Sequence, residues 1–185
     1  MRAQVNLEVK ALDSDPAATA RACTELGAQE EGLLRQRDTY FAVPAGRLKL
    51  REEVGTAEAE LIFYERPTVS GLRESRYWRV PITAPAELRE LLGAALGISG
   101  VVEKERRLYR YRNVRIHLDD VDRLGTFVEL EAVLSSASGH GTPAEQEALA
   151  TVTEALRLHE RPTTAGSYLE LLQGATLDGL EPDTR

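Results

Sequence analysis

Apolar and polar residues alternate with a period of two along residues 114–134, VRIHLDDVDRLGTFVELEAVL. In the first half Val114, Ile116 and Leu118 alternate with Arg115, His117 and Asp119. In the second, Val128, Leu130 and Ala132 alternate with Phe127, Glu129, Glu131 and Val133. This predicts two antiparallel strands across a short turn, each with one apolar and one charged face. Glu129 and Glu131 are two apart, so their carboxylates point the same way and repel. A cation or basic side chains between them would relieve the repulsion. The alternative is a wet outer face on which both acids are solvated.

The same alternation recurs along the chain. Residues 3–11 form a strand, with Val5, Leu7 and Val9 on one face and Asn6, Glu8 and Lys10 on the other. Pro16 opens a helix capped by Asp13 or Asp15 and stopped by Gly27. A strand over 28–43 ends in RQRDTYFAV, and Pro44, Ala45 and Gly46 turn the chain. The next strand, RLKLREE, sets Leu48 and Leu50 against Arg47, Lys49 and Arg51. Strands at 59–66 and 74–82 follow, joined by a loop at 68–73. A helix from Thr83 or Pro85 presents Leu88, Leu91 and Leu92 as its apolar side and stops at Gly97. A strand at 100–112 places Lys104 and Arg106 with Val102 and Leu108. After the 114–134 pair come a loop (SSASGHGTP), a helix (AEQEALATVTEALRL) and a last helical turn at 167–173.

Eight strands and about three helices, with most strands in hairpin order, describe an α+β protein. Its antiparallel sheet could close into a β-barrel with helices packed outside. Residues 1–174 are expected to form one domain and 175–185 a flexible polar tail.

Composition narrows the chemistry. The 185 residues are 42% hydrophobic and 29% charged, as expected of a globular chain, and the formal net charge of −7 opposes non-specific nucleic-acid binding. No run approaches transmembrane length, so no membrane partner is expected. A single cysteine, Cys23, suits a reducing compartment, and the expected location is cytoplasmic. Cys23 is read as a small buried apolar residue. With one cysteine and scattered histidines (His117, His140, His159), no zinc spacing or nucleophile triad competes.

The charged faces are segregated by sign. Lys49 and Arg51, then Lys104 and Arg106, make basic strands; Glu129 and Glu131 make an acidic one. A solvated surface usually interleaves the two signs. If these faces turn inward, the basic wall suits a polyphosphate, with arginine forks on its oxygens. The acidic wall suits Mg²⁺ or Mn²⁺. Together they describe a metal–triphosphate site.

Six motifs in order, NLEVKA, GRLKLRE, AELIFYERP, VVEKERRLY, RIHLDDVDRLGTFVELE and SYLELL, resemble the CYTH or triphosphate tunnel metalloenzyme superfamily. Within it the resemblance is to the class IV adenylate cyclase-like branch, over residues 3–173. It implies a closed eight-stranded antiparallel barrel with a charged lumen. It also implies phosphate binding by Lys10, Lys49, Arg51, Arg66, Lys104, Arg106 and Arg115, with catalytic roles for Lys10 and Arg115. Metal binding would fall to Glu8, Asp119, Glu129 and Glu131. Asn6 departs from the family's Glu-x-Glu-x-Lys signature, standing where its first acid would be. The site is therefore expected to lose one negative charge, with weaker or no binding of one of two metals.

The resemblance thus implies an Mg²⁺- or Mn²⁺-dependent enzyme, a monomer or homodimer, acting on a triphosphate-bearing small molecule. The reaction would be cyclisation of ATP to cyclic AMP and pyrophosphate. Alternatives are hydrolysis of an inorganic or organic triphosphate such as thiamine triphosphate, chemistry on a diphosphate ester, a non-catalytic polyphosphate-binding module, or a plain barrel with its charges outward. Tyr40, Tyr64 and Trp78 are read chiefly as packing residues, Arg76 as facing either lumen or solvent, and Asp122 as either a turn cap or an aid to the metal.

Overall fold

The protein, seen in a computed structural model, is described over residues 3–134 and 141–174. His140 and the tail expected at 175–185 lie outside the described residues. Eight strands form one sheet: β1 (Gln4–Leu12), β2 (Gln29–Phe41), β3 (Arg47–Glu53), β4 (Ala59–Glu65), β5 (Arg73–Pro81), β6 (Ile98–Tyr111), β7 (Val114–Val121) and β8 (Gly125–Val133). The sheet closes in the order β1-β5-β4-β3-β2-β6-β7-β8, antiparallel throughout.

Two meanders build the barrel, β2 to β5 and β6 to β8, each from short hairpins that sequence neighbours form readily. The β2–β3 turn needs Gly46: its φ is 67°, and a Cβ there would meet the Phe63 ring at 2.6 Å. Three pairings close the circle. Strand β2 pairs with β6, and β1 lies between β5 and β8, with Glu8 opposite Arg73 on one side and Glu131 on the other.

The helices are α1 (Pro16–Glu25), α2 (Pro85–Leu96), α3 (Pro143–Ala155) and α4 (Tyr168–Leu172). Asp15 caps α1, its carboxylate accepting from the Ala18 amide at 2.9 Å. Helices α1 and α3 cover the outer face of β1, β7 and β8, where Val114, Ile116, Val128 and Leu130 are fully buried against Ala148, Val152 and Leu156. Each such aliphatic side chain contributes about 1.5–3 kcal/mol by leaving water. Cys23 lies in this layer, buried and free, and burial pushes its thiol up to about 11.

Helix α2 lays Leu88 and Leu92 on a patch around Phe41, Leu50 and Ala59. Leu91, expected on the same side, is instead 64% exposed. Leu88 and Leu92 stack four residues apart over the barrel, whereas Leu91 falls at the edge of that stripe. Helix α4 packs across one end of the barrel, with Tyr168 and Leu171 among Tyr40, Tyr64, Phe127 and Val121.

Helices cover the outer face over β1, β7, β8 and the patch under α2, whereas the outer faces of β2 and β6 carry exposed ion pairs, Arg35–Glu105, Arg37–Glu103 and Arg107–Glu30. On β1, β7 and β8 the apolar face looks outward under helices and the charged face looks into the barrel, so neither the wet outer face for the 114–134 pair nor a barrel with all its charges outward describes this chain.

Candidate active site

Period-two alternation dictates what the lumen receives. Strand β1 contributes Glu8 and Lys10, β2 Asp38, β3 Lys49 and Arg51, β6 Lys104 and Arg106, β7 Arg115 and His117, and β8 Glu129 and Glu131. They line one cavity of about 400 Å³. Every base expected to meet phosphate lines it: Lys10, Lys49, Arg51, Arg66, Lys104, Arg106 and Arg115. In the same wall stand the carboxylates Glu8, Asp38, Glu129 and Glu131; over the whole lining nine formal cations face seven anions, a surplus of two. Toward the end where β3 leaves and β4 enters, Glu53, Glu58, Glu60, Arg79 and Arg110 also line the wall.

The charges pair within the wall. Asp38 accepts from Lys49 Nζ at 2.9 Å, Lys104 Nζ at 2.9 Å, and Arg51 Nε and Nη2 at 2.7 and 2.8 Å. Burial works against its charge, but Arg51, Lys104 and Lys49 together hold its carboxyl well below the usual range. The lysines yield in turn: burial, reinforced by Arg51, pushes Lys49 down to about 8 and offsets the pull of Asp38. Burial also drives Lys104 well below the ordinary lysine value.

Next along the wall, Arg106 donates two bonds of 2.6 Å to Asp119 and one of 3.0 Å to Glu129. Lys10 Nζ is 3.5 Å from Glu129. Burial lowers the Lys10 ammonium, with Arg66 acting the same way. Glu129 is held well below the carboxylate range, since Lys10 and Arg106 outweigh its burial. Glu8 pairs with Arg66 and with Arg73 Nε at 3.2 Å, and Arg115 donates to Glu131 at 3.1 Å. His117 Nδ1 is 3.7 Å from Glu129, and burial together with Arg106 lowers its pKa.

Residues 4–164 match the model of the CYTH domain. The chain belongs to the CYTH domain family. Among relatives of this CYTH protein, a candidate adenylate cyclase of Methanocaldococcus jannaschii, MJ0240, is 26% identical over 77% of this chain and 80% of its own length. The PH1012 protein of Pyrococcus horikoshii superposes with a TM-score of 0.73 at 24% identity, over 90% of this chain and 98% of the other. A candidate adenylate cyclase of Vibrio parahaemolyticus gives 0.75 at 16% identity, over 92% and 99%. HpAC1 of Hippeastrum, a candidate adenylyl cyclase described as having a dominant triphosphatase activity, gives 0.61 at 17% identity, over 91% and 95%.

Three of the four expected metal ligands of this CYTH domain, Glu8, Glu129 and Glu131, line the cavity. Asp119 faces the lumen from 2% exposure, closed off behind Arg106 and Tyr168. Asn6 is fully buried opposite Ser75, and both of its side-chain polar atoms lack a hydrogen-bond partner. Tyr40 and Tyr64 pack against α4 and also line the cavity. Trp78 stacks outside on Phe63, with centroids 5.6 Å apart. Arg76 is exposed beside Glu74, and Asp122 is exposed in the β7–β8 turn beside Arg123.

Three further residues of the site are not evident from sequence: Asp38, Arg73 and Tyr168. Asp38 shares the lumen face of β2 with Gln36 and Tyr40, so its parity is a usable signal. Arg73 falls at the end of the loop expected at 68–73 but begins β5. Tyr168 sits within the SYLELL motif, where nothing local marks a side chain that crosses the barrel end.

Proposed function

We propose that this CYTH barrel is an enzyme that binds a triphosphate in its lumen and, with a divalent cation, converts ATP to cyclic AMP and pyrophosphate. The observation that carries the reading is the convergence of Lys10, Lys49, Arg51, Arg66, Lys104, Arg106 and Arg115 on one cavity, whose lining keeps a surplus of two cations in a chain whose formal charge is −7. Such a wall favours a polyanion, and lysines with arginine forks suit phosphate oxygens.

Among the described residues no three His, Cys, Asp or Glu side chains converge as a ready-made metal centre. Mg²⁺ is commonly held by one or two carboxylates together with substrate phosphates and waters. Glu8, Glu129 and Glu131 offer carboxylates of that kind on the cavity wall, so the donor set fits Mg²⁺ or Mn²⁺ entering with the triphosphate. The cation would neutralise phosphate charge and polarise phosphorus–oxygen bonds. Asp119 then serves to position Arg106.

In cyclisation the ATP 3′-oxygen attacks the α-phosphorus, the bond to the α–β bridging oxygen breaks, and pyrophosphate leaves. Lys49, Arg51, Arg66, Lys104 and Arg106 hold the phosphates in line, and proximity supplies much of the rate. The neutral form of Lys10, which burial favours, would take the hydroxyl proton. Arg115 steadies the charge that develops on phosphate oxygens.

The second reading is hydrolysis of an organic or inorganic triphosphate, water replacing the 3′-hydroxyl. The dominant triphosphatase activity ascribed to HpAC1 favours it. The proposed setting is the cytoplasm, with the protein a monomer or homodimer.

Phosphorus NMR of the protein with ATP, and separately with tripolyphosphate, each with Mg²⁺ and Mn²⁺, tests both readings. Cyclic AMP with pyrophosphate is the expected product. ADP or pyrophosphate with orthophosphate would move the assignment to hydrolysis. Phosphorus lines that shift without turnover would make the protein a binding module.

A further inference from the structure

Asp38 has no part in the reaction above, yet it lies at the centre of the basic wall, 1% exposed. We infer that Asp38 is an internal counter-anion standing in for a phosphate, and that it sets the anionic charge a ligand must carry to capture Lys49, Arg51 and Lys104. The inference rests on reading the barrel as a polyphosphate tunnel.

Register places Asp38 there. On β2 it lies directly opposite Arg51 of β3, while Lys104 of β6 pairs with Gln36, two residues away. Its two oxygens accept four charge-assisted bonds of 2.7–2.9 Å, which fills the acceptor capacity of a carboxylate. The two parallel bonds from Arg51 have the fork geometry that arginine offers a phosphate. Three cations around one carboxylate leave a local surplus of two, so the cluster remains an anion site.

The short Asp38 side chain cannot leave with the strand fixed. Any phosphate that reaches these three bases must outcompete a carboxylate that stays beside it. A lone orthophosphate gains little from that exchange. A longer chain recovers the loss by reaching Lys10 and Arg106 as well. Asp38 thus keeps three cations in place without ligand and raises the threshold against short phosphates. It is a positioning and specificity residue, with no contact to reacting atoms required.

The test is titration calorimetry of orthophosphate, pyrophosphate and tripolyphosphate at fixed ionic strength, on the wild-type chain and on Asp38→Asn. Removing one unit charge beside the bases should tighten orthophosphate and pyrophosphate about tenfold or more. Tripolyphosphate should change less, so the preference for the longer chain narrows. A carboxylate that merely braces the wall predicts the opposite: all three anions weaken together. That result, or unchanged affinities, overturns the inference.

If Asp38→Asn does not fold, Asp38→Asn/Lys104→Met restores the charge balance and is read against Lys104→Met alone. The double variant should bind pyrophosphate more tightly, and equal or weaker binding again overturns the inference. Should wild type bind none of the three anions while the variant gains orthophosphate, Asp38 keeps its role and the tunnel reading fails. Wild-type binding of tripolyphosphate with no gain in the variant leaves the tunnel standing and removes the role of Asp38.

Discussion

The Tyr168 ring lies over the Lys10 ammonium, 3.5 Å from Nζ to ring centroid. The same side chain donates its hydroxyl to Asp119 at 2.7 Å. One residue of α4 therefore touches a lysine of β1 and an acid of β7 across the barrel end. The segment before α4 is tied to β1 and β5: the Thr164 amide donates to the Lys10 carbonyl at 3.0 Å, and Arg73 Nη1 donates to the Thr164 carbonyl at 2.9 Å. Ser167 then starts α4 with a capping box that Glu170 completes.

Substituting Tyr168 separates the two contacts. Tyr168→Phe keeps the ring over Lys10 and removes one charge-assisted hydrogen bond, an expected loss of about 2 kcal/mol. Tyr168→Ala also loses the ring and its edge contact with Phe127, an expected loss of about 4 kcal/mol. Urea unfolding should rank them in that order. Equal losses would mean that the ring contributes nothing.

Lys49 makes ligand binding depend on pH. Its pKa of about 8 lies below that of an unfolded lysine, so the folded state binds fewer protons between about pH 8 and 10.5. Its contribution to stability therefore rises with pH across that window, as the buried charge is relieved. Phosphate, by contrast, requires the charged form. Tripolyphosphate affinity should hold level up to about pH 8 and fall above it, and Lys49→Arg, which stays charged, should flatten that part of the curve. Calorimetry across the range checks both.

Asp119 governs the acid side. Burial pushes its carboxyl up, but the paired bonds and charge of Arg106 outweigh this and hold it at about 2. A carboxyl depressed in the folded state stabilises above its unfolded pKa of roughly 3.9, and that contribution is lost as pH falls toward 2. Asp119→Asn should lose most of this acid dependence. It should also cost about 3–5 kcal/mol at neutral pH, since Arg106 loses its principal partner in a buried pair. Thermal melts from pH 7 to 2 compare the two proteins.

Glu129 is the acid on which metal-dependent turnover should depend most. Glu129→Gln keeps the shape of the wall and removes a charge next to Lys10 and Arg106. Turnover in Mg²⁺ should fall about 100-fold or more, matching the several kcal/mol that a bound cation supplies. Tripolyphosphate binding without metal should persist or tighten. An unchanged rate would remove Glu129 from the site. Chelation of the wild-type protein with EDTA should reproduce the loss of turnover.

Much of this fold is legible because each strand keeps strict alternation. Val114, Ile116 and Leu118 against Arg115, His117 and Asp119 define two faces without reference to any other strand, and the positions with lysines and arginines follow from parity. Asp38 is harder to see. It sits in RQRDTYF among residues that read equally well as solvated, and its meaning comes from β3 and β6, which bring three cations to it. Leu91 fails for the converse reason: helical spacing marks an apolar stripe but not how far the surface beneath it extends.

The sequence by itself determined the strands, the helices over them and which side chains share a face, because backbone periodicity is local. Only the tertiary structure decided which face is the interior. Closure between β1 and both β5 and β8 encloses the charges, and covering helices make the apolar side the outside. Only it decided the partners as well: which base meets Asp38, which meets Glu8, and that Tyr168 reaches Lys10. Those choices depend on distances between strands far apart in the chain, and a strand's own alternation carries no record of what will face it.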